Sequence, residues 1–139
     1  MHNIVRFGVS IDDKLLSRFD TIIETKGYVN RSEAIRDLIR NTLVSEDISN
    51  PDTEVIGTLT LIYSHDEHEV SDRLNEIQHG YYKNVISSTH VHLDEHNCLE
   101  VLILRGRVQE VQFISDNLQS VKNVRHGRLT VTSTGKNLP

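Results

Sequence analysis

Residues 5–43 read "VRFGVSIDDKLLSRFDTIIETKGYVNRSEAIRDLIRNTL", and the hydrophobic period changes once within them, from alternating to helical. Val5, Phe7, Val9 and Ile11 alternate with Arg6, Gly8 and Ser10, which is the period of a strand with one buried face. After Asp12 and Asp13, either of which can cap a helix, Leu15, Leu16, Phe19, Ile22 and Ile23 recur at helical spacing until Gly27 supplies a stop. In "NRSEAIRDLIRNTL", Asn30 with Glu33 three residues on forms a capping box, and Ala34, Ile35, Leu38, Ile39 and Leu43 make an apolar stripe. The unit is strand, helix, helix. It gives way to "VSEDISNPDTE", residues 44–54, a polar, proline-bearing segment that reads as a linker. The expected modules are therefore 1–48 and, beyond the linker, 54–134.

A lone strand at 5–11 has no partner in its own chain, yet its backbone groups need one. Antiparallel pairing with a second copy solves this, giving a two-stranded ribbon backed by four helices. Val5, Phe7, Val9 and Ile11 then face inward and Arg6, Gly8 and Ser10 outward. A ribbon of that width fits the major groove of double-stranded DNA, where Arg6 and Ser10 can reach base edges. The plain alternative is an oligomerisation module with a solvated strand face. At this point the chain resembles the ribbon-helix-helix family of DNA-binding regulators, with "NRSEAIRDLIR" as the specific match. The resemblance implies that the start of the second helix, near Asn30, Arg31 and Ser32, holds a phosphate; helix amino termini attract anions in any case. Gly8 departs from the family, whose members carry a polar side chain there.

Composition constrains the rest. At 139 residues the chain fits one ordinary domain or two small ones, and 37% hydrophobic residues suffice to build cores. No stretch approaches the roughly 18 apolar residues of a membrane helix, and "MHNIVRFGVSIDDK" lacks the features of a signal peptide. A cytoplasmic protein with no membrane partner is expected. The single cysteine excludes an intrachain disulfide, leaving Cys98 as a buried thiol, a nucleophile or a metal ligand. The net charge of −5 argues mildly against a chain that wraps phosphates along its whole length. Residues 1–47, with seven bases against eight acids, are nearer neutral and permit a local basic face.

Beyond residue 54 the periods predict a strand at 55–63, a helix at 67–80, strands at 84–93 and 98–104, a helix at 107–121 and a strand at 124–132. This βαββαβ order closes into a ferredoxin-like sheet with two helices on one face, so the fold class is α+β. Within it, "STHVHLDEHNCLEV", residues 88–101, forms a hairpin. His90 and His92, two apart on a strand, share a face with Cα atoms about 6.6 Å apart, and Cys98 returns beside them. Donors of types N, N and S suit a borderline transition metal, whereas calcium or magnesium would want oxygens. The ordinary alternative is two strand histidines beside a buried thiol. A closed site needs a fourth donor. His79 in "EIQHGYY" is the candidate, supplied by a partner chain because the strand at 84–93 falls at a sheet edge. Such a set in a plane suits Ni(II) or Cu(II); zinc would need the donors splayed.

Taken in order, "NRSEAIRD", "QH", "HVHLDEHNCLE" and "VRHG" resemble the nickel-responsive repressors of the NikR type over nearly the whole chain. That resemblance implies a ribbon-helix-helix module joined to an ACT-type regulatory domain. It also implies one Ni(2+) per subunit, bound by His90, His92 and Cys98 with His79 of a neighbouring subunit. The assembly would be a homotetramer made of two dimers, acting on a palindromic operator to shut off nickel uptake genes. Glu33 and Asp37, four apart on the second helix, resemble the family's secondary cation position. Glu100, on the face of Cys98, can support a ligand histidine. His65 and His68 could form an accessory metal site or simply be solvated. His96, His126, Tyr81 and Tyr82 are expected to be structural, and His2 exposed. Pinning His79 to a neighbouring hairpin would order the helix at 67–80, with the linker permitting reorientation of the first module. Two other classes compete: an ACT-type small-molecule-sensing transcription regulator, and a metalloenzyme using Asp94 or Glu95 as base. The first lacks a glycine-rich ligand loop, and four protein ligands would leave the second no vacancy in a square plane.

Overall fold

The computed structural model describes residues 3–139, so His2 lies outside the described residues. Its contacts divide the chain into two units, Met1–Asn41 and Thr42–Pro139.

In the first unit, residues 3–12 carry no regular structure, and Val5, Phe7 and Val9 stand exposed at 79, 68 and 66%. The strand expected at 5–11 is thus unpaired in a single chain, which follows from its having no ladder partner there. Helix α1 (Asp13–Lys26) starts where Asp12 Oδ1 accepts the amides of Lys14 and Leu15 at 3.0 and 3.2 Å. It ends at Gly27, whose φ of 79° is the left-handed conformation glycine adopts without strain. Helix α2 (Arg31–Ile48) starts with the amide of Glu33 donating to Asn30 Oδ1 at 2.9 Å, half of the expected capping box. The Arg31 guanidinium donates to both carboxylate oxygens of Asp20, at 2.9 and 2.8 Å, and so staples α2 to α1. The guanidinium holds the Asp20 carboxyl below the usual carboxylate range. Among the described residues of the two helices only Ile23 and Ala34 are buried. Helix α2 continues through residues 44–48, which the sequence reads as linker, and Ile48 packs on the core of the second unit.

The second unit runs β1 (Glu54–Ser64), α3 (His68–Gly80), β2 (Val85–His92), β3 (Asn97–Arg107), α4 (Val108–Gln119) and β4 (Val124–Ser133). The sheet order is β2-β3-β1-β4 with every neighbouring pair antiparallel, as the ferredoxin-like reading requires. Alternation along β1 and β3 turns Val55, Leu59, Leu61, Tyr63, Cys98, Leu102 and Leu104 toward Val70 and Leu74 of α3 and Val111, Ile114 and Leu118 of α4. Helix α4 comes so close to β1 at Gly57 that a Cβ there would meet Val111 Cγ1 at 2.6 Å. The edge strand β2 reaches this core only through Val85: every residue after it in the strand is exposed. No helix of the described residues is long and apolar enough to cross a membrane.

Candidate functional site

The hairpin of β2 and β3 carries three of the four expected metal donors and brings two of them, His92 and Cys98, together. Cross-strand register sets His92 opposite Cys98 and His90 opposite Glu100, so all four share the helix-covered face of the sheet. Asp94 fixes the turn between them. Its Oδ1 accepts the amides of His96 and Asn97, both at 2.8 Å, and its carboxyl is held down to about 2 by the Asn97 side chain and these two amides. His92 Nδ1 lies 3.7 Å from Cys98 Sγ, and the His90 and His92 rings are 5.0 Å apart. Cys98 is fully buried. Burial raises the thiol's pKa, and the negative charges of Asp66, Asp94 and Glu100 raise it further. A neutral thiol is therefore the resting form, and only a nearby cation would favour the thiolate.

Behind His90 sits a buried polar set that the sequence reading only half anticipates. Tyr63, whose register partner on β3 is Cys98, donates its hydroxyl to Glu100 Oε1 at 3.1 Å. Glu100 Oε2 accepts Gln78 Nε2 at 2.6 Å, which ties the last turn of α3 to the sheet. Burial, and then the charge of Glu100, keep Tyr63 protonated far above its ordinary range. With that proton directed at Glu100, the 3.3 Å contact of the Tyr63 oxygen suits a neutral His90 with its hydrogen on Nδ1. Its Nε2 then carries the free lone pair, the form in which an imidazole binds a metal. Glu100 Oε1 lies 3.8 Å from His90 Nδ1. Tyr63 and Gln78 escape the sequence reading, although pairing β1 to β3 in register would have put Tyr63 beside Cys98.

His79 is on the last turn of α3 and exposed; the chain does not bring it to the hairpin. The His/Cys cluster that the described residues do assemble is His65, His92 and Cys98. His65 thus joins His92, with His65 Nδ1 3.3 Å from His92 Nδ1, rather than His68, which is exposed. The chemistry of these donors, imidazoles around a buried thiol, fits a late transition metal.

In the first unit, Arg6, Gly8 and Ser10 are exposed, and a side chain added at Gly8 would meet nothing within 4 Å. Asn30, Arg31 and Ser32 lie exposed at the start of α2, with the Arg31 guanidinium engaged by Asp20. Asp37 accepts the Tyr28 hydroxyl at 2.6 Å and Arg40 Nη1 at 3.2 Å, and Glu33 lines the same small cavity. At the expected secondary cation position, protein donors thus already occupy Asp37.

Residues 56–132 match the family model described as the NikR C terminal nickel binding domain, and residues 5–46 match that of the ribbon-helix-helix protein, copG family. Three relatives, each named as a candidate nickel-responsive regulator, show how far the likeness runs. The protein of Geobacter sulfurreducens is 56% identical over 138 residues, covering 99% of both chains. That of Pelobacter propionicus is 53% identical over the same share of each. That of Pyrococcus furiosus is 53% identical over 135 residues, covering 97% of this chain and 98% of its own.

Proposed function

The chain belongs to the NikR-type family of nickel-responsive transcriptional regulators, and on that premise we propose how its residues divide the work. It is a DNA-binding regulator that responds to nickel, not an enzyme. One Ni(2+) per subunit is held by His90, His92 and Cys98 of one chain and His79 of the partner subunit. The observation that carries this reading is the hairpin itself: His92 faces Cys98 at a free sheet edge, with the His90 ring 5.0 Å from that of His92. An exposed histidine such as His79 is available to another chain. The bound ion supplies a stable bond between subunits and lets Cys98 stay ionised.

Glu100 orients His90 and, through Gln78, holds the turn of α3 that carries His79. The first module, residues 1–48, pairs with its copy into the ribbon. Arg6 and Ser10 then read base edges, and the amide groups near Asn30, Arg31 and Ser32 take a backbone phosphate. The second module, residues 54–134, is of ACT type and joins two such dimers into a tetramer on a palindromic operator. The protein represses nickel uptake genes from the cytoplasm. Metal can favour DNA binding only if the arrangement that holds it is also the arrangement that holds the operator. Glu33 and Asp37 line a secondary cation position, for which the Tyr28 and Arg40 contacts of Asp37 would have to open.

The test is a Ni(II) titration followed by absorbance. A thiolate charge-transfer band saturating at one equivalent per chain, and absent from Cys98→Ala, is expected. A band that persists in Cys98→Ala would overturn the ligand assignment.

A further inference from the structure

His65 follows directly on β1 and stands beside donors the nickel reading already uses. Its Nδ1 is 3.3 Å from His92 Nδ1, and His92 Nδ1 is 3.7 Å from Cys98 Sγ. Ligand atoms of the three residues all lie within 4.8 Å of one another. With metal–nitrogen bonds of about 2.05 Å and a metal–sulfur bond of about 2.3 Å, a tetrahedral ion keeps its N and N donors about 3.3 Å apart and its N and S donors about 3.6 Å apart. The same bond lengths at right angles in a square plane give about 2.9 and 3.1 Å. The His65–His92 and His92–Cys98 spacings are nearer the tetrahedral values than the planar ones.

The surroundings are also those of a built ligand set. Asp66 Oδ1 is 3.5 Å from His65 Nε2, and the Asp66 Oδ2 is in turn 2.6 Å from His96 Nδ1. At 3.5 Å the Asp66 carboxylate places a negative charge beside His65 Nε2, which raises the basicity of a ligand imidazole. The amide of His65 donates to the His96 carbonyl at 2.9 Å, which ties the end of β1 to the hairpin turn.

We propose that His65, His92 and Cys98 form a second coordination set, complete within one chain, for a tetrahedral divalent ion such as Zn(II) or Co(II). The proposal rests on the reading of His92 and Cys98 as metal donors given above. Because it shares those two residues with the planar nickel set, the two are mutually exclusive at each hairpin. The single-chain set leaves His79 unused and a fourth position for water. An ion held this way makes no bond between subunits.

The test is a Co(II) titration, with Ni(II) in parallel, of the wild-type chain and the His65→Ala, His65→Asn and His79→Ala variants. Wild type and His79→Ala should each take one Co(II) per chain with the intense visible bands of a tetrahedral thiolate complex. Both His65 variants should lose that intensity and bind Co(II) at least tenfold more weakly, yet keep the Ni(II) thiolate band, which also shows that they fold. Loss of Co(II) binding in His79→Ala, or an unchanged Co(II) spectrum in both His65 variants, would overturn the proposal. Loss of both ions from both His65 variants would overturn it too, since His65 would then serve one common site. Absence of any thiolate band with Ni(II) in the wild type would instead remove the underlying reading of His92 and Cys98.

Discussion

In Thr42–Pro139, Leu59, Leu61, Leu102 and Leu104 of the sheet are sealed under α3 and α4 with no solvent exposure at any of them. In Met1–Asn41, by contrast, the described helices bury only Ile23 and Ala34, while Val5, Phe7, Val9, Leu15, Ile22 and Leu38 remain exposed. Both stretches carry the alternation or helical stripe that marks a buried face. The difference is where the covering surface comes from. The second unit has two helices and three sheet neighbours within its own chain. The described residues of the first, with 3–12 in no regular structure, offer no such cover within the chain. The exception within the second unit is β2, exposed along its length, and that is the strand carrying His90 and His92.

The contrast can be broken most forcefully at the sealed core. Leu102→Ala should cost about 2–5 kcal/mol in chemical denaturation followed by circular dichroism. A loss well under 1 kcal/mol would mean that the core is not sealed as described. Next comes the uncovered face. Phe7→Ser removes about 1.5–3 kcal/mol of burial per subunit if the ribbon pairs, and so at least tenfold in operator affinity at fixed salt. The thermal transition of the second unit should not move. If Phe7→Ser left operator binding intact, the paired ribbon would be wrong. Glycines sharpen the same contrast at smaller scale. Gly57→Ala, with Val111 Cγ1 2.6 Å from the added Cβ, should cost about 1–3 kcal/mol, whereas Gly8→Ala, with open space around it, should leave melting of the free protein nearly unchanged.

The smallest effect concerns the Asp20–Arg31 staple, both partners of which face solvent. The carboxyl of Asp20 is lowered in the folded chain, chiefly by its hydrogen bond to Arg31. Its contribution is therefore present above the ordinary carboxylate range and lost as pH falls through the lowered value. Asp20→Asn should lower the melting temperature slightly at pH 7 and leave it closer to wild type at pH 3. Equal differences at both pH values would show that the pair contributes nothing through charge.

Much of this was legible beforehand, because local signals and the final fold agree. Asp12, Gly27 and Asn30 mark helix ends in the sequence and perform those roles in the structure. The βαββαβ order follows from alternating periods, and the pairing of His92 with Cys98 follows from a short turn between two strands. What stayed hidden depends on register between distant strands. Tyr63 reaches Glu100 and His65 reaches His92 only because β1 runs beside β3 with Tyr63 opposite Cys98, and no local period encodes that offset. Helix α2 ran past the polar stretch at 44–48 because Ile48 finds apolar partners in the second core, a tertiary gain that composition does not display.

Complementation tests whether each nickel is shared between chains. His79→Ala and His92→Ala each disable every site in their own assemblies, so neither alone should bind operator in response to Ni(II). Mixed and reassembled together, the hairpin of the first and the His79 of the second rebuild intact shared sites. Nickel-dependent operator binding should return in the mixture. If the mixture stayed as inactive as either variant alone while exchange of chains was demonstrated, sharing of the metal between subunits would be contradicted.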